Sequence, residues 1–223
     1  MIQERINEVK ALLPNDVTLV VVTKNHTVEE IWEAYNAGVR DFGENRVQEL
    51  MSKVDKLPKD IRWHLIGSLQ RNKVKYIAPF IHCVQSVDSL ALYEEILRRA
   101  KLSNRSIDFL LEIHIAQENT KAGLPIEELE ALIKTLLGRE EDAPYMKLRG
   151  LMTMATNTDN REEIVSEFRK AKEIFDSLRG GIMAHHPEFD TLSMGMSDDW
   201  HLAVNEGSNM IRIGSYIMGA RSY

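Results

Sequence analysis

A chain of 223 residues that reads as eight strand-then-helix units predicts a (β/α)8 barrel. Three observations support that expectation. Short apolar runs alternate with stretches of helical period along the whole chain. Strand–helix–strand units close right-handedly, so consecutive strands line up in parallel. No linker, repeat or low-complexity tract interrupts the series, so residues 1–223 read as a single domain. An open, doubly wound sheet is the competing arrangement.

An extra helix comes first. Ile2, Ile6, Val9, Leu12 and Leu13 share one side of residues 2–13, and Pro14-Asn15-Asp16 ends it. Strand one is the apolar run 17–23, and Thr27-Val28-Glu29-Glu30 is a capping-box start for a helix that runs to Gly38. Strand two is expected near 39–42, followed by a helix from Arg46 to Lys56. Trp63-His64-Leu65-Ile66 is strand three, and Asn72 to Ala78 is helical up to Pro79. Strand four is expected near 81–85, with Ser86-Val87-Asp88-Ser89 capping a helix through Arg99. Strand five, 107–115, is the longest apolar run, and Pro125 suits the first position of a helix to Leu137. Strand six falls near 147–152, and Asn160 opens a long helix to Leu178. Strand seven falls near 190–193, Ser197 or Asp198 caps a short helix ending at Gly207, and strand eight is 209–213. No helix is read after strand eight, and the N-terminal helix fills that place in the outer ring.

Composition narrows the functional classes. A net charge of -6 and the absence of a long basic run argue against a nucleic-acid surface. The single cysteine, Cys83, allows no internal disulfide, which fits a reducing compartment. Met1-Ile2-Gln3-Glu4-Arg5 lacks the apolar block of a signal peptide, and no stretch reaches the roughly 18 apolar residues of a membrane span. A cytoplasmic protein is expected, and a monomer, since no long apolar helix face is left over.

In such barrels the chemistry lies where the strands end. Lys24 follows strand one, a position where a lysine can lose its proton and attack a carbonyl. Ser193 follows from strand seven, and Gly214 and Ser215 follow strand eight. Serines and glycines after the last two strands suit a phosphate. Arg212, between Ile211 and Ile213, points inward by alternation and needs an acceptor, such as a pyridine nitrogen or a buried carboxylate of Glu112 or Glu206. His185, His186 and Glu188 lack a recognised metal-ligand spacing, and surface histidines are the expectation there.

The same residues lie in five ordered blocks. These are Val21-Val22-Thr23-Lys24, Phe42-Gly43-Glu44-Asn45-Arg46-Val47-Gln48-Glu49, the segment from Trp63 to Lys73, Leu192-Ser193-Met194-Gly195-Met196-Ser197-Asp198-Asp199, and Ile211-Arg212-Ile213-Gly214-Ser215. Together they closely resemble the YggS/PROSC-type pyridoxal phosphate homeostasis proteins. That resemblance implies a barrel like the N-terminal domain of alanine racemase. It implies pyridoxal 5'-phosphate held as a Schiff base on Lys24, with Ser193, Gly214 and Ser215 at the phosphate and Arg212 at the ring nitrogen. It puts Asn45 and His64 near the cofactor's face or edge, and Met194 completes the expected cofactor-binding set. Arg46 and Ser68 depart from the family pattern, which often has tyrosine and histidine there.

The resemblance further implies a cofactor carrier that supplies apo-enzymes, with no established turnover. The alternative is a racemase-like enzyme on the same barrel. The chain ends at Tyr223, just past strand eight, which is expected to leave no room for a racemase's second domain. A third reading, an aldolase-type phosphosugar enzyme, would call for more carboxylates at the strand ends. Lys121, in Asn119-Thr120-Lys121, is expected to be a solvated loop charge, with a second cofactor-accepting lysine as the alternative.

Overall fold

The computed structural model describes residues 1–116 and 123–219. Lys121 and its neighbours Asn119 and Thr120 therefore lie outside the described residues. Eight parallel strands close into a barrel in sequence order. They are β1 (Thr18–Val22), β2 (Asp41–Glu44), β3 (Arg62–Leu65), β4 (Cys83–Val87), β5 (Ile107–Glu112), β6 (Met146–Met152), β7 (Thr191–Ser193) and β8 (Met210–Ile213). Closure is made by β8 on β1, with Thr18 opposite Met210 and Val20 opposite Arg212.

Helix α1 (Ile2–Leu12) precedes the barrel, as expected from its apolar side. The outer ring continues with α2 (Val28–Asn36), α3 (Val47–Lys53), α4 (Val74–Ile77), α5 (Leu90–Leu102), α6 (Ile126–Leu137), α7 (Arg161–Gly180), α8 (Trp200–Asn205) and α9 (Ser215–Met218). Local chemistry explains several starts. The Thr27 hydroxyl accepts from the Glu30 amide at 3.3 Å while the Thr27 amide donates to the Glu30 carboxylate at 2.7 Å. Ser89 accepts from the Leu92 amide to start α5, and Asn160 accepts from the amides of Glu162 and Glu163 to start α7. Among the described residues no helix is long and apolar enough to cross a membrane.

Strand alternation divides the interior in two. Outward-facing residues such as Val21, Phe42, Leu65, Val84 and Leu111 join the helices in the main core. The barrel axis holds a small apolar cluster of Cys83, Leu110 and Met152. Beside that cluster the axis is polar, with His64, Gln85, Ser193 and Arg212 all buried.

Three strands differ from expectation by two residues or more. β2 and β4 each begin two residues later than the sequence suggests, at Asp41 and Cys83. The polar residues Glu44, Gln85 and Ser86 suggest strand ends, yet they are buried within the strands. Partners on other elements hold them, such as the Gly67 carbonyl, which accepts from the Ser86 hydroxyl at 2.7 Å, although Glu44 Oε2 is buried without a partner. β5 stops at Glu112, with Ile113 making only an isolated bridge to Leu124.

Candidate functional site

Lys24 lines a cavity of about 230 Å³ at the C-terminal mouth of the barrel. Its polar wall also includes Asn45, Ser197, Arg212, Gly214 and Ser215, and Ile66, Met154 and Met196 supply apolar surface.

The backbone on both sides of Lys24 is held in place. The Thr23 carbonyl accepts from Lys53 Nζ at 2.8 Å, and the Asn25 amide donates to the Glu49 carboxylate. Asn25 takes the left-handed conformation with φ 63°, which asparagine tolerates better than most residues and which turns the chain out of β1. Lys53 is itself buried and donates to Glu44 and Glu49, each at 2.7 Å. The Thr23 hydroxyl donates to Glu44 as well. Burial pushes the Glu44 carboxyl up, against the pull of Lys53 and Thr23. This support behind Lys24 has a faint sequence signal, the Glu49–Lys53 spacing of four on α3.

Asn45 has a different problem. Its side-chain Oδ1 is buried without a hydrogen-bond partner. Gly67 is what lets this segment pack so closely, because a Cβ there would meet the Asn45 carbonyl oxygen at 2.5 Å. On the far wall the turn after β7 needs Gly195, whose φ is +96° and where a Cβ would meet Ala203 at 2.6 Å. That turn delivers Ser197 to the mouth. The Ser197 hydroxyl accepts from the Gly214 amide at 3.2 Å and from the Tyr216 amide at 3.4 Å. Hydroxyl and backbone N–H groups thus gather at the start of α9, an arrangement suited to an anion.

Arg212 is buried at the floor of the cavity. Its Nη1 donates to the Ser193 hydroxyl at 2.6 Å and its Nη2 to the Thr153 carbonyl at 2.8 Å. Burial lowers its pKa to about 10, while Asp199 and Glu112 act in the opposite direction, so it stays protonated near neutrality. Among the described residues it makes no direct ion pair. Glu206, one suggested partner, instead pairs with Arg169 at 3.1 Å. Burial and nearby Asp88 push Glu112 up to about 7, with Arg212 pulling it down.

Three expected site residues, Ser193, Met194 and His64, do not line this cavity. Ser193 points into the barrel axis below the mouth, where it is fully buried between Arg212 and Gln85. The rim serine is Ser197, four residues further on, which the sequence marks only as a possible helix cap. Met194 is the next residue along the chain and so faces outward into the main core. His64 points inward, but it sits nearer the other end of the barrel, bonded to Asp41 and Gln85. It lines a second cavity, of about 280 Å³, at the N-terminal foot. Lys24, Asn45, Arg212, Gly214 and Ser215 share the mouth cavity. In the loop 179–189, His186 meets Glu188 at 3.1 Å on the surface, and no group of three or more potential metal ligands occurs among the described residues.

Known proteins resemble this chain over nearly its whole length. The model of the alanine racemase N-terminal domain matches residues 1–222. The pyridoxal phosphate homeostasis protein of Aquifex aeolicus is 38% identical over 210 residues, covering 94% of this chain and 89% of the relative. The solved structure of PipY from Synechococcus elongatus PCC7942, with PLP bound, superposes with a TM-score of 0.87. It is 37% identical, and the match covers 98% of this chain and 100% of PipY. An alanine racemase from Clostridium difficile 630 shares the fold at a TM-score of 0.74 and 15% identity, with 55% of that chain covered.

Proposed function

The chain belongs to the pyridoxal phosphate homeostasis protein family, and on that premise we propose that it binds pyridoxal 5'-phosphate at the mouth of its barrel and stores, buffers and delivers it. The observation that carries this reading is one cavity lined by the Lys24 amine, the Ser197, Gly214 and Ser215 cluster and the Arg212 guanidinium. A phosphorylated pyridine aldehyde has a group for each. When bound, the cofactor supplies an aldehyde that condenses with a neutral amine and releases water, a reversible Schiff-base linkage suited to storage and hand-over.

The residues divide the work. Lys24 is the attachment point, with its backbone held through Lys53 and Glu49. Ser197, Gly214 and Ser215 hold the phosphate by hydroxyl and amide donors. The buried acceptor Asn45 Oδ1 suits the cofactor's ring hydroxyl. Arg212 donates to the ring nitrogen without protonating it, since a guanidinium keeps its proton. That leaves the ring a weak electron sink, which favours holding over turnover.

Racemisation needs two opposed bases. Glu112 is the carboxyl near Arg212 whose pKa lies near neutrality, but it does not line the cavity. His26 and Asp198 also line the cavity, so the carrier reading rests on the family and on the Arg212 contact; recipients among apo-enzymes and a cytoplasmic monomer are part of the proposal.

Incubation with pyridoxal 5'-phosphate tests it. The protein should gain a visible absorbance band, and Lys24→Ala should abolish the band while keeping the circular dichroism of the folded chain. No band in the natural protein contradicts the binding reading. Solvent-deuterium incorporation at the α-carbon of amino acids at enzyme-like rates contradicts the carrier reading alone.

A further inference from the structure

The barrel axis carries one continuous line of hydrogen bonds whose direction follows from its Arg212 end and from the orientation of the Gln85 amide. Arg212 can only donate, so Ser193 Oγ, 2.6 Å from Nη1, must accept. The Ser193 proton is then directed onward to Gln85 Oε1 at 2.7 Å. With Oε1 committed, Gln85 must present its NH₂ to the other side, where it meets His64 Nδ1 at 3.0 Å and Met210 Sδ at 3.2 Å. His64 Nδ1 must therefore be bare, and the ring proton must sit on Nε2, facing Asp41 Oδ1 at 3.1 Å. Asp41 ends the line as a carboxylate. Burial opposes its charge, but hydrogen bonds from His64 and Arg62 prevail and hold it well below the usual carboxylate range.

We propose that Ser193, Gln85 and His64 are positioning residues for Arg212, and that this axial chain, anchored at Asp41, sets the orientation of the guanidinium at the cofactor site. Ser193 and Gln85, the middle links, are fully buried and line neither cavity, so water does not substitute for them. With Gln85 Oε1 toward Ser193 and its NH₂ toward His64 and Met210, each link has one donor–acceptor sense. A change at any link must be answered by its neighbours. If Gln85 Oε1 is removed, Ser193 has no acceptor for its proton and no reason to keep its lone pair toward Arg212. The guanidinium then keeps only the Thr153 carbonyl at 2.8 Å as a fixed partner in this layer. The chain runs from His64, which lines the foot cavity, to Arg212, which lines the mouth cavity.

The proposal rests on the reading that Lys24 and Arg212 hold pyridoxal 5'-phosphate, and the experiment separates the two. The first arm needs no variant and no cofactor. Nitrogen-15 NMR of the natural protein near neutral pH should show the His64 ring as the neutral Nε2–H tautomer. An Nδ1–H tautomer or an imidazolium there overturns the chain. The second arm reads the visible band of protein loaded with pyridoxal 5'-phosphate. Ser193→Ala and Gln85→Met should weaken cofactor retention about tenfold and shift the pH profile of the band by about one unit, as loss of a charge-assisted hydrogen bond implies. If the natural protein forms the band but Ser193→Ala and Gln85→Met leave retention and profile unchanged, the positioning role is refuted and the cofactor reading stands. If the natural protein forms no band, the cofactor reading fails and the positioning role fails with it.

Discussion

At the foot of the barrel Arg62 grips Asp41 through two hydrogen bonds, the Nε one at 2.7 Å, and Arg149 reaches Asp190 at 3.2 Å. At the mouth Arg212 meets a hydroxyl and a carbonyl instead of a carboxylate, and Asn45 Oδ1 is buried with no partner. Both ends are polar and both enclose a cavity. At the foot the charges answer one another, which holds the strands in register and leaves little to offer a ligand. At the mouth the polar groups are held from behind and turned toward the cavity. Cavity size does not tell the two apart, since the foot cavity is the larger at about 280 Å³ against about 230 Å³. What separates the two ends is that the foot pairs its charges with each other, whereas the mouth holds Arg212 by neutral acceptors.

The comparison can be broken in several places. The largest stability effect is expected at the support behind Lys24. Lys53→Met would leave the buried Glu44 and the Glu49 carboxylate without their cation, costing about 3–5 kcal/mol in chemical denaturation. It should also weaken cofactor retention, because the Thr23 carbonyl loses its donor. Glu112→Gln comes next and is pH-dependent. A carboxyl raised from 4.5 to about 7 by folding binds its proton more tightly in the folded state, so its presence lowers stability as pH rises through that window. The variant should therefore gain on the natural protein between pH 5 and 8, by roughly 3 kcal/mol at most, measured by denaturant midpoints at each pH.

At the foot, Arg62→Ala should cost about 2 kcal/mol, because Arg62 is half exposed while Asp41 is nearly buried. Asp41 has its pKa depressed, so the stability it contributes is present above the ordinary carboxylate range and is lost as pH falls. The deficit of Arg62→Ala should accordingly narrow in acid. The visible band of the loaded protein should be less affected than by Lys53→Met; an equal effect would erase the distinction between the two ends. The smallest effect is expected away from both. Ser89→Ala removes the cap of α5 and should cost about 1 kcal/mol with no change in the band.

Much of this was legible in the sequence. The order and type of the eight strands followed from period and punctuation, because each strand must bury an outward apolar row against a helix. Lys24, Arg212 and the Gly214-Ser215 pair could be found from their places at strand ends. What could not be read was the barrel axis. Glu44 and Ser86 fall past the expected strand ends and Gln85 at the last position of one, and their partners lie on other elements, 9 to 108 residues away in the chain. Ser193 and Ser197 differ by four residues, and only the tight turn at Gly195 decides which of them reaches the rim. His64 faces inward, bonded to Asp41 and Gln85, and alternation gives the face of a strand and not the height along the barrel at which its side chain finds a partner.

Borohydride reduction of protein saturated with pyridoxal 5'-phosphate, followed by peptide mapping in a mass spectrometer, tests the central claim most directly. A single stoichiometric pyridoxyl modification on Lys24 is the predicted result. Stoichiometric modification of Lys121 or any other lysine, with Lys24 unmodified, would contradict it.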